Sequence, residues 1–320
     1  MQNDLNFCRQ FIVNYFRFTI NHQKNKMEIV IRNSDRADKF AAIFQHIKLF
    51  TDHISLHCNK THMKMQCMDN AHVAILELSL PSGWFDVYEI SNAEDTDDAG
   101  IRIGFNATFL HRILSSRDKE QQIQLVHSSE DVDRLMIHLT KPEEIIAGQS
   151  DTASIGAGKT KEKKPAANNF DKHFELPLID IEEETMQIPA IEYAAELSMQ
   201  SSQFADIITQ LKMFGDTMDV QCSEERIALA STSQDQGKMF VEIGINDLAE
   251  FAIDEGADLA LSFSLTYLKY FCAYSKITDL VSIKFGESYP MRISYSLGHS
   301  LGEEEDAALV FHLAPKINDD

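Results

Sequence analysis

The sequence predicts an α+β protein in which one arrangement of antiparallel strands and two helices occurs twice. Three observations carry this. The segment from Lys39 to Phe50 matches the segment from Gln203 to Phe214, with Phe, Ala, Ile, Lys and Phe recurring in register 164 positions later (Phe40 against Phe204). A second pair follows in the same order, Phe105–Ile113 beside Phe263–Phe271, at an offset of 158 (105 to 263). Around these helices lie short segments of alternating apolar and polar residues, the period of strands with one buried face. Two helices in one order, repeated once, mean two copies of one unit. At 320 residues, 44% of them hydrophobic, the chain can bury two cores.

The elements follow in order. Residues 1–26 are aromatic (Phe7, Phe11, Tyr15, Phe16), but Arg9, Asn14, Arg17 and Thr19 interrupt them too often for a signal-peptide core. They read as an N-terminal extension without a folded role. Domain 1 spans 27–145. Met27 to Arg32 alternates as a strand, and an Asp-containing turn leads to a helix at about Ala37. Phe40, Ile43, Phe44, Ile47 and Phe50 keep the spacing of one buried helical face. Strands are expected at 53–58, 63–68, 73–80, 84–90 and 101–105, then a helix over 108–116, then strands at 122–126 and 135–139. Residues 146–192 hold an inserted loop, an edge strand and a connector. The loop, Ala147 to Asn169, is rich in Gly, Ser, Ala and Lys and nearly lacks large apolar side chains. Domain 2, 193–320, repeats the pattern with strands at 194–199, 219–222, 227–230, 239–243, 280–285, 291–295 and 308–313, and helices at 202–214 and 265–274.

Composition narrows the function classes. Fifty acidic residues against 29 basic give a net charge of −21, which argues against a protein coated in nucleic acid or anionic lipid but allows a small basic surface. Five cysteines, odd in number and without C-x-x-C spacing, suit reduced thiols better than disulfides or zinc. No apolar run approaches the roughly 20 residues of a membrane span. Ala153 to Thr160, ending Gly158-Lys159-Thr160, satisfies the loose form of a phosphate-binding loop. That loop needs a buried strand before it and a helix after it. Neither is predicted, so a nucleotide hydrolase using Lys159 and Thr160 is the weakest reading, and no cofactor, metal site or catalytic set is expected.

The polar faces of the repeated helices say more. Lys48 and Lys212 occupy the same slot in the two copies. Arg112 and Lys269 lie on the shorter helices, with Lys39, His46, His111 and Lys276 nearby. In so acidic a chain this is selective placement. Such side chains suit phosphates held by charge without base readout.

Met68-Asp69-Asn70-Ala71-His72-Val73-Ala74-Ile75, Gln187-Ile188-Pro189, Leu265 to Phe271 and Leu313-Ala314-Pro315-Lys316-Ile317 resemble, in combination and order, the proliferating cell nuclear antigen family of eukaryotic sliding clamps. The resemblance runs from about Met27 to the C-terminus. It implies duplicated clamp domains in a homotrimeric ring, helices lining a hole around duplex DNA and antiparallel sheets outside. It implies a non-enzymatic processivity factor that tethers DNA polymerase and other clamp-binding-motif proteins and is opened by a separate ATP-dependent loader. The implied place of action is the nucleus, or the site of viral DNA replication. Subunits would join edge to edge through Phe174 and Leu176 on one side and Gly237, Met239 and Val241 on the other. The implied partner-peptide pocket falls on Met68, His72, Val73, Ile75, Met186, Ile188, Pro189, Pro290, His312, Ala314 and Pro315. His312 stands where the family usually has tyrosine. Ala41, Ala42, Asp206, Thr209 and Ala273 stand where cations are usual, so the channel should be less positive than the family norm. The long insertion and this altered channel keep open a subunit of a heteromeric or dimeric clamp relative.

Overall fold

The computed structural model describes residues 26–91, 100–128, 130–142, 170–181, 186–189, 191–287, 289–298 and 306–316. The extension (residues 1–25 of it) and the whole 147–169 loop, with its Gly158-Lys159-Thr160 motif, lie outside them. Domain 1 opens with β1 (Lys26–Ile31) and α1 (Ser34–His46), followed by a 3-10 turn at Ile47–Leu49. Then come β2 (His53–Cys58), β3 (His62–Met68), β4 (Ala74–Pro81), β5 (Val87–Ile90), β6 (Ile101–Asn106), α2 (Ala107–Ser115), β7 (Gln122–Ser128) and β8 (Asp131–Thr140). An edge strand, β9 (Lys172–Pro177), precedes the connector. Domain 2 holds β10 (Ala195–Gln200), α3 (Ser201–Leu211), β11 (Thr217–Ser223), β12 (Ile227–Ser233), β13 (Gly237–Ile243), β14 (Glu250–Ile253) and β15 (Asp258–Ser264). It ends with α4 (Leu265–Cys272), β16 (Leu280–Phe285), β17 (Met291–Gly298) and β18 (Ala307–Leu313).

The predicted strand over 84–90 is shorter in the structure. Ser82–Trp84 form a 3-10 turn, because the Trp84 indole is fully buried and donates to the Leu297 carbonyl at 3.2 Å. Helix α1 starts at Ser34, a turn before the expected Ala37, since the Asn33 side chain caps it by accepting from the Arg36 N–H. Helix α3 stops at Leu211, with Met213 and Phe214 in a closing turn. Strands β14 and β15 were not expected. Strand β14 has four residues at a sheet edge, and β15 runs into α4 with no turn residue to separate them.

Three antiparallel sheets are present among the described residues, ordered β5-β1-β7-β8-β9, β14-β10-β16-β17-β18-β4-β3-β2-β6 and β13-β12-β11-β15. Duplication explains this division. In each domain one sheet has five strands and the other four, and the pairing of β18 with β4 fuses domain 2's five to domain 1's four. The helices pack in pairs, α1 with α2 and α3 with α4. Their buried faces (Phe40, Ile43 and Phe44; Leu110 and Leu114; Phe204, Ile208 and Leu211; Leu268 and Phe271) are the apolar stripes read from the sequence. An aromatic cluster sits at the join of the domains. Phe311 of β18 lies 4.5 Å from Phe271, 5.3 Å from Tyr274 and 5.8 Å from Phe50, centroid to centroid. The Tyr274 hydroxyl crosses the join to donate to the Ile43 carbonyl.

The connector begins by lying along β6. Ile179 N–H donates to the Gly104 carbonyl at 2.8 Å, and a Cβ at Gly104 would stand 2.4 Å from the Ile179 carbonyl oxygen. Only glycine allows that approach. Gly104→Ala is expected to cost about 1–3 kcal/mol, the usual range for overpacking. Thermal melting would show it as a lowered Tm, and proteolysis would show faster cleavage near Ile179. An unchanged melt would mean that the connector does not rest here in solution.

Candidate helix face and connector groove

The exposed faces of the two helix pairs carry the cations predicted from sequence, but not all of them are free. Lys48 is exposed on the 3-10 turn, and Arg112 is exposed with its guanidinium 5.7 Å from the Phe109 ring. Lys39 pairs with Asp35 at 3.0 Å. Lys212 pairs with Asp216 and also donates to Thr266 Oγ1 at 2.9 Å. Lys48, Arg112, Lys269 and Lys276 are exposed and make no ion pair among the described residues. The outer face of α3 is not cationic: Ser202, Gln203, Asp206, Thr209 and Gln210 are its exposed residues.

His46 and His111 sit between these charges. Partial burial lowers the pKa of both below the ordinary histidine value. Lys48 pushes each further down, and His111 does the same to His46. Both imidazoles are therefore neutral at physiological pH. The sign follows: the unfolded chain binds protons at a higher pH than the folded one, so stability falls as pH drops below about 6.5. Over the same acid range the folded face gains up to two positive charges.

On the opposite side of the central sheet, away from the helices, the connector crosses a groove. Gln66 fastens it, donating to the Met186 carbonyl at 2.9 Å and accepting from the Met186 N–H at 2.7 Å. Register places one row of side chains under it across six strands. Met68 faces Ile75, Ile75 faces His312, His312 faces Arg292, Arg292 faces Lys284, and Lys284 faces Glu196. The domain 1 end of the row is apolar and the domain 2 end is charged. A cavity of about 400 Å³ opens at the charged end, with Ile188, Pro189 and Ile191 of the connector on one side. Its far wall includes Glu77, Tyr193, Lys284, Arg292 and His312.

The loop beside the groove is built on one carboxylate. Asp69 accepts from the N–H groups of Ala71, Val73 and Ala74 at 2.9, 2.7 and 2.7 Å, and from the Tyr267 hydroxyl of α4 at 2.5 Å. This curls the chain so that His72 takes a left-handed φ of 58°. Burial pulls the Asp69 carboxyl upward, but the hydrogen bonds from Tyr267 and the loop outweigh it and hold the group below its usual range. The Tyr267 phenol is pushed up to about 12, by desolvation and by its bond to Asp69. Ala314 N–H then donates to the Val73 carbonyl, joining the C-terminal segment to the loop.

Strands β9 and β13 are among the sheet edges of the described residues. Phe240 on β13 is 51% exposed. Leu176 is 2% exposed, packed into the chain's own core, so it offers a neighbour its backbone and not its side chain. Gly237 (φ 90°) turns the β12–β13 hairpin.

The family model described as proliferating cell nuclear antigen, N-terminal domain, matches residues 33–155, and that for its C-terminal domain matches 187–316. The chain belongs to the proliferating cell nuclear antigen family. It is 27% identical to the proliferating cell nuclear antigen of Chaetomium thermophilum over 89% of this chain and 97% of that protein. It is 24% identical to proliferating cell nuclear antigen 2 of Plasmodium falciparum, over 88% of this chain and 96% of the relative. Against proliferating cell nuclear antigen 2 of Drosophila melanogaster it is also 24% identical, over 83% and 89%.

In this family member the sequence-assigned pocket residues gather around one groove. Met68, Ile75 and His312 share a row; Val73 and Ala314 are hydrogen-bonded; Met186, Ile188 and Pro189 form the connector above. Pro290 and Pro315 flank the last paired residues, Met291 and Leu313. His72 is exposed at the loop tip. Sequence reasoning missed Gln66, Glu77, Tyr193, Lys284, Arg292 and Tyr267. Gln66, Glu77, Lys284 and Arg292 are polar strand positions without a motif, and only cross-strand register brings them under the connector. Tyr193 lies in the connector, and Tyr267 lies in the Leu265–Phe271 segment, which gave no sign of its bond to Asp69. Among the described residues no His, Cys, Asp or Glu group has metal-binding geometry. Cys58, Cys222 and Cys272 are buried, with thiols pushed up to about 12, 11 and 12 by desolvation.

Proposed function

We propose that the chain assembles as a homotrimeric sliding clamp that encircles duplex DNA without sequence preference. It would act as a processivity factor in the nucleus or at a viral replication site. In this reading it has no catalytic role: an ATP-dependent loader opens the ring, and DNA polymerase and other partners dock in the connector groove through a short peptide.

The observation that supports ring closure is the duplication of the sheets. Phe174 faces Ile137 as Phe311 faces Ile293, and Met239 faces Ser231 as Leu76 faces Cys67. Cys67 and Ser231 are again 164 apart. Strand β9 is thus the counterpart of β18, and β13 of β4. Since β18 pairs with β4 within the chain, β9 pairs with β13 of a second copy by the same geometry. The transposed register sets Phe174 against Met239, Leu176 against Gly237, Lys172 against Val241 and Glu175 against Lys238. The last match joins opposite charges, which stabilises a cross-strand pair. Pairing these two edges satisfies backbone groups that would otherwise be open to other chains.

Native mass by light scattering tests the assembly. A homotrimer gives roughly 109 kDa, three times 36.3 kDa; a monomer or dimer transfers the reading to a heteromeric or dimeric clamp. Retention on a nicked circle, lost on linearisation, tests encirclement. Lys48→Glu is expected to lower that retention at low salt and flatten its salt dependence, because Lys48 is a free cation on the α1–α2 face. As pH falls through the lowered pKa values of His46 and His111, below the ordinary histidine value, their charging should strengthen retention. The gain should vanish in the His46→Gln/His111→Gln variant; a gain that persists there means other groups supply it.

A further inference from the structure

We propose that the cavity at the domain 2 end of the connector groove receives a carboxylate, carried by an aspartate or glutamate side chain of the docked partner segment. The proposal rests on the groove being the peptide site. It adds the chemistry of one further anchor, beyond the apolar contacts.

Four observations converge on this cavity. Lys284 and Arg292 face each other directly across β16 and β17, a like-charge pairing that destabilises an antiparallel sheet. Glu196 neutralises Lys284 at 2.8 Å, whereas Arg292 makes no ion pair among the described residues; its one hydrogen bond is to Ser294 Oγ at 3.4 Å. His312 is 6% exposed and its Nε2–H donates to the Glu77 carboxylate at 3.0 Å, which leaves its Nδ1 buried without a partner. The Tyr193 hydroxyl is likewise buried without a partner. Tyr193, Arg292 and His312 all line the same space of about 400 Å³, large enough for a side-chain carboxylate.

The electrostatics fix the sign of the ligand. Glu77 is already engaged, by His312 and by Gln66 at 3.0 Å. Burial works against its ionised form, but these hydrogen bonds and Arg292 hold its pKa below the usual range, so it stays charged. What remains unsatisfied on the donor side is a guanidinium and a phenolic O–H. A carboxylate accepts from both, and Arg is the residue whose fork matches it. A neutral amide in the same place would bring no charge to answer the guanidinium. The apolar row from Met68 to Ile75 ends beside this cavity, so one extended segment reaches both.

The test uses fluorescence anisotropy with the full-length protein. The probes are fluorescein-labelled peptides bearing one aliphatic and two aromatic anchors, made in versions with Glu or Gln at each non-anchor position. The expected result is one position where Glu binds about tenfold tighter than Gln, with the ratio shrinking as salt rises. In Arg292→Gln the ratio at that position falls to about one; in Arg292→Lys, which keeps the charge, part of it survives. Binding of all peptides with no Glu preference at any position overturns the proposal and leaves the groove reading intact. A preference that survives Arg292→Gln also overturns it. Failure of every peptide to bind removes the groove reading itself, and this inference with it.

Discussion

Met239→Asp is expected to reduce the native mass from roughly 109 kDa to that of one chain, 36.3 kDa. In the transposed register each Met239 lies against Phe174 of the next copy, and both are half-buried in the single chain. Assembly would complete their burial and place the new carboxylate in an apolar joint with no partner. An unpaired buried charge costs several kcal/mol. A closed ring of three has three such joints, so the loss is repeated at each. Met239 sits on an edge strand, and the chain should keep its fold, which far-UV circular dichroism can check. A milder pair tests the register itself. Glu175→Lys and Lys238→Glu should each weaken assembly by roughly 1 kcal/mol per joint, the scale of cross-strand charge pairs. The double exchange should restore most of it. Glu175 also pairs with Arg134 within its own sheet, so restoration will be partial. A Met239→Asp protein that still runs as a trimer, or a double exchange no better than the singles, would show that the copies join elsewhere.

The duplication was legible because it is written in core residues. Phe40, Ile43, Phe204 and Ile207 recur at one spacing since each must fill the same gap between a helix and a sheet, and packing tolerates few alternatives. Alternating strands such as β3 and β4 were visible for the same reason: Met63, Met65 and Cys67, and Leu76, Leu78 and Leu80, all point into that core. What sequence could not show was register. Whether Arg292 meets Lys284, or His312 meets Ile75, depends on pairings between strands up to 237 positions apart in the chain, from Ile75 to His312, and no local pattern encodes them. Charge is a different case, because its pairing here is local and the spacing alone could have shown it. Lys39 and Lys212 read as free cations on the helix surface, yet each has an acidic neighbour four residues away on its own helix or turn. The pocket residues were placed by resemblance alone. Their coherence in the structure comes from Gln66 and Asp69, two side chains that hold backbone and so leave no apolar signature.

Asp69→Ala is expected to destabilise the folded chain by roughly 3–5 kcal/mol and to abolish binding of the anchor peptides together. The substitution strands the N–H groups of Ala71, Val73 and Ala74 and the hydroxyl of Tyr267, all of which now donate to one carboxylate. The turn that holds His72 at a positive φ loses its centre, and Val73, at the mouth of the groove, moves with it. Tyr267→Phe removes one bond of the four and should cost about 1.5–3 kcal/mol, since the acceptor is charged. The two variants also separate in pH. The folded pKa of Asp69 lies below its ordinary value, so its contribution is complete above about pH 5 and is lost as pH falls through the folded pKa. The gap in stability between the parent and Asp69→Ala should therefore be widest at neutral pH and narrow on acidification, read by denaturant melts along a pH series. A gap of constant width would mean that Asp69 acts by shape and not by charge. Loss of peptide binding in Tyr267→Phe, where the loop keeps its three backbone bonds, would instead show that the loop's tie to α4 sets the groove.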